Sequence, residues 1–353
     1  MANREPTLVI DAYGGADAPR AVVAAAAARS LEGRARLVLV GDASVLGAEL
    51  GRHGYDPMRL RIVGAGVPQP HVTGDDLALR DAARASLPIC LEMLREGEAD
   101  AMVSFSPPEL VQALARETLA PLRPGLQAAL ASVVPTMPRS GNEDPLALLL
   151  DVSGSQTQDP AAICDWAVLG ATYARVVSGI RQPSVGLLAT DIDPSAGPDF
   201  VRVAHRALRR GPGVRFVGNL RAVDIPRGLA DVVVVDGFAG FAVRGLLEGL
   251  TELTVDAARY AWKTRTTWRV GLRLLSQGVG MLRRVSEFRE YGGAPILGLE
   301  RLVLVAAPTS TEAAAGNALK LAGKCVRRDL EGELRRALEA GADWRPEAAT
   351  EAG

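Results

Sequence analysis

The feature that most constrains the fold is the alternation of short apolar segments with helical segments. Three of the apolar runs, LVLV from Leu37, VVVV from Val232 and LVLV from Leu302, are apolar at every position. A strand of this kind is typical of a sheet that helices cover on both faces, whereas a half-exposed strand alternates. The pattern therefore predicts an α/β fold, a doubly wound three-layer αβα sandwich.

The chain shows neither a tandem repeat nor a long linker. We therefore predict one α/β domain over residues 1–330. A charged helix and tail are expected at 331–353. The predicted strands are Leu8–Ala12, Leu37–Gly41, Leu60–Val63, Ala101–Phe105, Ala128–Val134, Leu146–Val152, Val185–Ala189, Arg215–Val217, Val232–Val235 and Leu302–Ala306.

Composition narrows the functional classes. The formal net charge of -1 and an apolar fraction of 48% fit a soluble globular protein and give no sign of nucleic-acid binding. Three of the 40 basic residues are lysines, so anion binding must depend on arginine and on backbone N–H groups. The cysteines Cys90, Cys164 and Cys325 lack metal-ligand spacing and are expected to be buried thiols. We see no signal peptide or membrane-spanning run, and a cytoplasmic location is expected.

Two turns that follow apolar strands combine an aspartate with glycines. Asp11 precedes Gly14 and Gly15, and "VVVVDGFAG" places Asp236 and Gly237 directly after a strand, with Gly240 ahead of a helix. Ligands of parallel sheets bind at the carboxyl ends of the strands, and glycine lets the backbone approach them. A tight turn without a ligand explains the first turn equally well. Asp236 could orient a donor, act as a base or cap the helix.

Further candidates are weaker when each is taken alone. Gly292 and Gly293 form a third glycine turn, and Ser310 lies before a predicted helix, where capping is the commoner role of a hydroxyl. The acidic loop around Asp193 does not have the spacing of a calcium site. His205 is expected on a helix, without a recognisable nucleophile partner.

The stretch at 260–290 interleaves tryptophans and aliphatic residues with basic ones. This composition fits a helix that lies on a membrane surface. It fits a dimer interface or a helix covering the core equally well.

Taken in order, these turns resemble those of the PlsX family, bacterial phosphate acyltransferases of phospholipid synthesis. DAYGG resembles the family's DAMGGD, VVVVDGFAGF resembles the stretch through its DGF turn, and YGGAPILGL is similar to its YGGAPLLGL. The resemblance covers about Leu8 to Leu321. It implies a catalytic role for Asp236 and substrate-binding roles for Asp11, Gly14, Gly15, Ser104, Asp151, Asn219, Gly237, Gly240, Gly292, Gly293 and Ser310.

The resemblance also implies a fold like that of isocitrate and isopropylmalate dehydrogenases, and a homodimer. The expected reaction moves a fatty acyl group from acyl carrier protein to inorganic phosphate, giving acyl phosphate, without a metal or other cofactor. The resemblance further implies a protruding basic helical hairpin inserted at about 255–290, in which residues 260–290 would hold the protein peripherally at the inner, anionic face of the membrane.

The sequence departs from the family at several strand ends. The family's SAGNTGA reads SFSPPEL here, where Pro107 and Pro108 remove two N–H donors, and its KAHGSS reads VAAPTS. Arg80, Arg84 and Arg244 are candidates to replace the lost polar groups. Two hypotheses follow, an active acyltransferase and a catalytically impaired paralogue that binds acyl carrier protein or acts as a scaffold. A phosphotransacetylase-like enzyme that uses acyl-CoA is a third.

Overall fold

The computed structural model describes residues 5–15, 17–66, 75–137, 146–211, 213–264, 292–308 and 310–341, without the side chains of 75–84 and 255. The chain forms two compact units. One comprises Met1–Ala131, Thr172–Gly179 and Arg289–Asp343, and the other comprises Ser132–Ala171, Ile180–Phe288 and Trp344–Gly353. The predicted single domain over 1–330 stays a prediction.

The sheet of the first unit has the strand order β3-β2-β1-β4-β11-β10-β5, and β5 belongs to this unit up to Ala131. Its strands are parallel except β10, which is antiparallel to both of its neighbours. Since β1, β4 and β11 lie side by side and run in the same direction, the turns that follow them meet at one edge. The strands are β1 (Thr7–Asp11), β2 (Arg36–Gly41), β3 (Leu60–Gly64), β4 (Ala101–Ser104), β5 (Ala129–Pro135), β10 (Ala294–Leu297) and β11 (Leu302–Val305).

Small side chains bring the helices of the first unit close to one another. Helix α1 buries an unbroken run of alanine and valine from Ala21 to Ala27, and it packs against α8, whose buried face is also rich in alanine. Alanine loses no side-chain entropy on packing and allows neighbouring backbones to approach. The helices are α1 (Arg20–Leu31), α2 (Ala43–Leu50), α3 (Asp75–Arg95), α4 (Pro108–Thr118), α8 (Glu312–Arg327) and α9 (Leu330–Ala340), with a π-helical turn at Ala174–Ser178.

The sheet of the second unit is entirely parallel among its described strands, in the order β6-β9-β7-β8. Gly170 of helix α5 lies against the strands, where an added Cβ would come within 3.0 Å of Leu150. The strands are β6 (Leu146–Leu150), β7 (Ser184–Leu188), β8 (Arg215–Leu220) and β9 (Val232–Val234), and the helices are α5 (Pro160–Tyr173), α6 (Asp199–Arg210) and α7 (Gly237–Thr264).

The predicted α/β class is confirmed, with helices on both sides of a mixed sheet. All of the predicted strands are present, with boundaries that differ by a few residues. The sequence does not predict strand β10, because two glycines precede its four residues and Pro295 interrupts its apolar pattern. Pro295 lacks an N–H to donate to the ladder, yet it pairs with Leu304 in the antiparallel register.

The predicted hairpin at 255–290 lies mostly outside the described residues. The structure describes its beginning, which is the last part of helix α7, up to Thr264. Among the described helices, none is both long enough and apolar enough to span a bilayer. The expected burial of the thiols is confirmed for Cys90, Cys164 and Cys325. Burial raises the pKa of Cys90 well above its usual value and raises the pKa of Cys325 to about 12.

Candidate active site

A fully buried carboxylate ends strand β1 in the first unit. Asp11 Oδ1 accepts a hydrogen bond from Ser86 Oγ at 2.5 Å, and Oδ2 accepts from Ser104 Oγ at 2.7 Å and Ser106 Oγ at 2.5 Å. The backbone N–H of Tyr13 also donates to Oδ1, at 3.2 Å. Burying an ionised group is costly unless hydrogen bonds replace the lost water, and these four donors do so. Asp11 therefore ties α3, β4 and the turn after β4 to the end of β1.

Close contacts with the backbone of neighbouring turns explain why glycines follow Asp11. A Cβ on Gly14 would overlap the backbone of Ser106, and one on Gly15 would lie 3.0 Å from the carbonyl oxygen of Pro308. The turns after β1, β4 and β11 are therefore in contact, as expected from adjacent parallel strands.

The turn after β11 contains Ser310, whose hydroxyl donates to the carbonyl of Ala307 at 2.6 Å. The cap of α8 is instead Thr311, whose Oγ1 accepts from the N–H of Ala314 at 3.2 Å. Gly292 and Gly293, each with a φ of +99°, lie at the same edge, since β10 begins opposite the end of β11. The first unit thus brings together seven of the predicted residues, Asp11, Gly14, Gly15, Ser104, Gly292, Gly293 and Ser310.

The second unit contains a similar buried carboxylate directly after β6. Asp151 Oδ2 accepts hydrogen bonds from Ser153 Oγ and Ser155 Oγ, both at 2.8 Å, and Oδ1 accepts from the N–H of Ser153 at 3.0 Å. Each unit therefore has an aspartate at a carboxyl strand end with a Ser-x-Ser pair around it.

The turn after β9 is packed directly against this carboxylate. A Cβ on Gly237 would lie 2.8 Å from Asp151 Oδ2, and one on Gly240 would overlap the carbonyl oxygen of Asp151. The neighbouring Asp236 is half-buried, and its Oδ1 accepts from the N–H of Ala239 at 3.0 Å in the first turn of α7. Its Oδ2 makes no hydrogen bond to any described residue, so this oxygen can still accept a proton or a donor.

Asn219, at the end of β8, has both ends of its amide engaged. Its Oδ1 lies 2.7 Å from Nδ1 of the buried His205, and its Nδ2 donates to the carbonyl of Asp193 at 2.8 Å. Asn219 therefore fastens the acidic loop after β7 to helix α6. The carboxylates of that loop are exposed, and no metal-binding cluster occurs in the part of the chain that the structure describes.

Three arginines are predicted to replace lost polar groups. The side chains of two of them, Arg80 and Arg84, are outside the part of the chain that the structure describes. Arg244 is on α7, where its Nε lies 3.6 Å from the carboxylate of Glu248.

The hydroxyl groups were the part of the site that sequence reasoning largely missed. Ser106, Ser153 and Ser155 were not candidates, yet they supply most of the donors to the two carboxylates. The signal available was a Ser-x-Ser pair beginning at the end of a strand or just after it, at SFS and SGS.

The fold is an α/β fold that solved phosphotransacetylases share. The solved phosphotransacetylase of Streptococcus pyogenes superimposes with a TM-score of 0.57 and 17% identity, covering 91% of this chain and 94% of that one. A 4-hydroxythreonine-4-phosphate dehydrogenase from Klebsiella pneumoniae gives a TM-score of 0.51 and 13% identity, covering 92% and 99%. At these identities the likeness concerns the fold.

The chain belongs to the fatty acid synthesis protein family, whose sequence profile matches residues 7–332. A phosphate acyltransferase of Myxococcus xanthus is 33% identical over 344 residues, which are 96% of this chain and 95% of the relative. One of Moorella thermoacetica is 32% identical over 326 residues, or 92% and 93% of the two chains. The predicted family is thereby confirmed.

Proposed function

We propose that this protein transfers a fatty acyl group from acyl carrier protein to inorganic phosphate, giving acyl phosphate for phospholipid synthesis. One observation carries the proposal, namely that relatives called phosphate acyltransferase align over nearly the whole of both chains. The strand ends support it, since the Asp-Gly turns that mark the family are packed into hydrogen-bonded networks in both units.

The reaction requires an oxygen of phosphate to attack the thioester carbonyl. A C–O bond forms, the C–S bond breaks, and the leaving thiolate takes up a proton that the phosphate gives up. We assign the handling of this proton to Asp236, because its Oδ2 is not used by the helix cap. Within each unit the buried aspartate, Asp11 in the first and Asp151 in the second, positions the serines and glycines around it.

The protein is further proposed to be a cytoplasmic homodimer that contacts anionic membrane through residues 260–290. Exposed leucines on one face of α7 support a contact between subunits. Exposed Tyr260 and Trp262, beside Lys263, support an interfacial position for the end of that helix.

The reaction is tested by incubating the protein with palmitoyl-acyl carrier protein and phosphate and trapping acyl phosphate as its hydroxamate. We expect phosphate-dependent product, and we expect Asp236→Asn to lower kcat by about 100-fold or more. Asparagine keeps an oxygen that can cap α7, so the variant should retain its helical circular dichroism and its melting temperature.

Asp42→Asn is the matched control, because Asp42 caps α2 in the same way and is likewise only partly buried. Its activity should stay within about twofold of wild type. Absence of acyl phosphate at high protein concentration, with carrier-protein binding intact, would contradict the proposed reaction. Full activity of Asp236→Asn would contradict the role of Asp236.

A further inference from the structure

Helix α6 divides cleanly into a core face and a cationic face. Val201, Ala204, His205 and Leu208 are buried at helical spacing, as expected for a helix that covers a sheet. On the opposite side Arg206, Arg209 and Arg210 are exposed. Residues three and four positions apart lie on one helix face, so these three guanidinium groups are neighbours. We call them the arginine patch.

The arginine patch is not paired with a carboxylate in the part of the chain that the structure describes. Between Asp199 and Leu220 five arginines accompany one carboxylate, that of Asp199, and Asp199 is paired with Arg202. The three arginines of the patch make no ion pair with any described residue. Nearby cations behave differently, since Arg221 and Arg227 both bind the buried Asp224 and hydrogen bonds from Arg221 lower its pKa to about 2. The patch is therefore a concentration of unneutralised charge in a chain whose net charge is only -1.

The chemistry of the patch favours the carboxylates of a protein over a lipid surface. A helix that lies on a membrane inserts large apolar side chains beside its basic residues. The large apolar side chains of α6 are not among the exposed ones, since Phe200 and Val203 are only partly accessible. Arginine forks match carboxylates in two-point hydrogen bonds, and a rigid helix presents them in fixed register.

We propose that the arginine patch is the docking surface for an acidic helical protein, which under the proposed function is the acyl carrier protein that delivers the acyl group. This inference rests on the proposed function for the identity of the partner. The patch belongs to the same unit as Asp236. Complementary charge of this kind mainly accelerates and orients association, so the binding should weaken as salt rises.

The test measures binding of palmitoyl-acyl carrier protein to the full-length protein by biolayer interferometry, without phosphate, at about 0.1 M salt. We expect the triple variant Arg206→Glu/Arg209→Glu/Arg210→Glu to raise Kd by about tenfold or more. The triple lysine variant at the same positions keeps the charge and should stay within about threefold of wild type. All three positions are exposed on a helix, so the variants should fold, which circular dichroism can verify.

The matched control is Arg34→Glu/Arg52→Glu/Arg61→Glu, which makes the same charge change at exposed positions of the first unit. Its Kd should change less than about twofold. Unchanged binding of the α6 glutamate variant would overturn the inference, as would an equal loss in the control. Loss of binding to phosphatidylglycerol vesicles with carrier-protein binding unchanged would also overturn it, and would assign the patch to lipid. Because binding is measured without turnover, absence of acyl phosphate would count against the proposed reaction alone.

Discussion

At the scale of single residues, the family's aspartates and glycines are explained by contacts inside each unit. Asp11 and Asp151 are buried carboxylates that hydroxyl and backbone donors satisfy. Removing one partner from such a network would leave buried polar groups unpaired, at a cost of roughly 1–3 kcal/mol each. Each of these aspartates therefore holds its neighbouring serines in place within its own unit.

Gly240 gives a direct test of this packing. A Cβ there would overlap the carbonyl oxygen of Asp151 and lie 2.5 Å from Val235 Cγ2, and neither the backbone nor a β-branched side chain can easily move away. We expect Gly240→Ala to lower the free energy of unfolding by roughly 1–3 kcal/mol, measured by urea denaturation.

Gly245, one and a half turns further along the same helix, is the control. A Cβ at Gly245 would meet nothing within 4 Å. Alanine is preferred to glycine in a helix, so Gly245→Ala should stabilise the protein by roughly 0.5–1 kcal/mol. If both variants have equal stability, the close contact between α7 and Asp151 is contradicted.

At the scale of elements, helices α6 and α7 differ in how their side chains are buried. Helix α6 has the ordinary pattern of one buried face and one charged face. Helix α7 is anchored at its first turn, while beyond Gly240 those of its side chains that the structure describes are at best partly buried. Leu246, Leu250 and Leu253 are exposed by 65%, 50% and 65%, at spacings that place them on one side. An apolar helix face of this kind is typical of an interface.

The proposed homodimer can be tested on this face. We expect Leu250→Glu to place a charge in the interface and to raise the dimer dissociation constant by about tenfold or more, as measured by sedimentation equilibrium. The secondary structure should not change, because position 250 is already exposed.

Leu31→Glu makes the same chemical change at an isolated leucine that is 62% exposed, at the end of α1. This control should leave the dissociation constant unchanged. A monomeric wild-type protein would refute the homodimer itself. A Leu250→Glu variant that associates as tightly as wild type would place the interface elsewhere.

At the scale of the whole molecule, the sequence predicted those parts of the fold whose signal is local. Apolar runs such as Val232–Val235 are covered on both faces and read clearly as strands. Strand β10 depends on pairing with β11 and β5. Its own sequence gives little strand signal, because two glycines precede it and Pro295 lies within it. The predicted site residues were found at strand ends by family resemblance and turn chemistry. Their partners Ser106 and Ser155 could not be predicted, because serine is common in turns. Only the fold shows that each of these hydroxyls lies beside a buried carboxylate.

The proposed membrane contact is also tested at the scale of the whole protein. We expect Trp268→Glu to reduce sedimentation with anionic phosphatidylglycerol vesicles by about fivefold, because a charge replaces an aromatic ring suited to the interface. Trp268 lies outside the described residues, so this prediction depends on the composition of 260–290 alone. The fully buried Trp166 shows that tryptophan in this chain also serves the core. Equal sedimentation of the variant and wild type would contradict the membrane contact.

The buried cysteines supply reporters of local opening. Cys164 lies in the second unit, and Cys90 and Cys325 lie in the first. A thiol reagent cannot reach any of them while the surrounding helices stay packed, and the raised pKa values of Cys90 and Cys325 suppress the reactive thiolate further. The rate at which each thiol is modified therefore measures how often its own unit opens. Single-cysteine versions of the chain would report the opening of each unit separately, with the modified thiol detected by mass spectrometry during turnover.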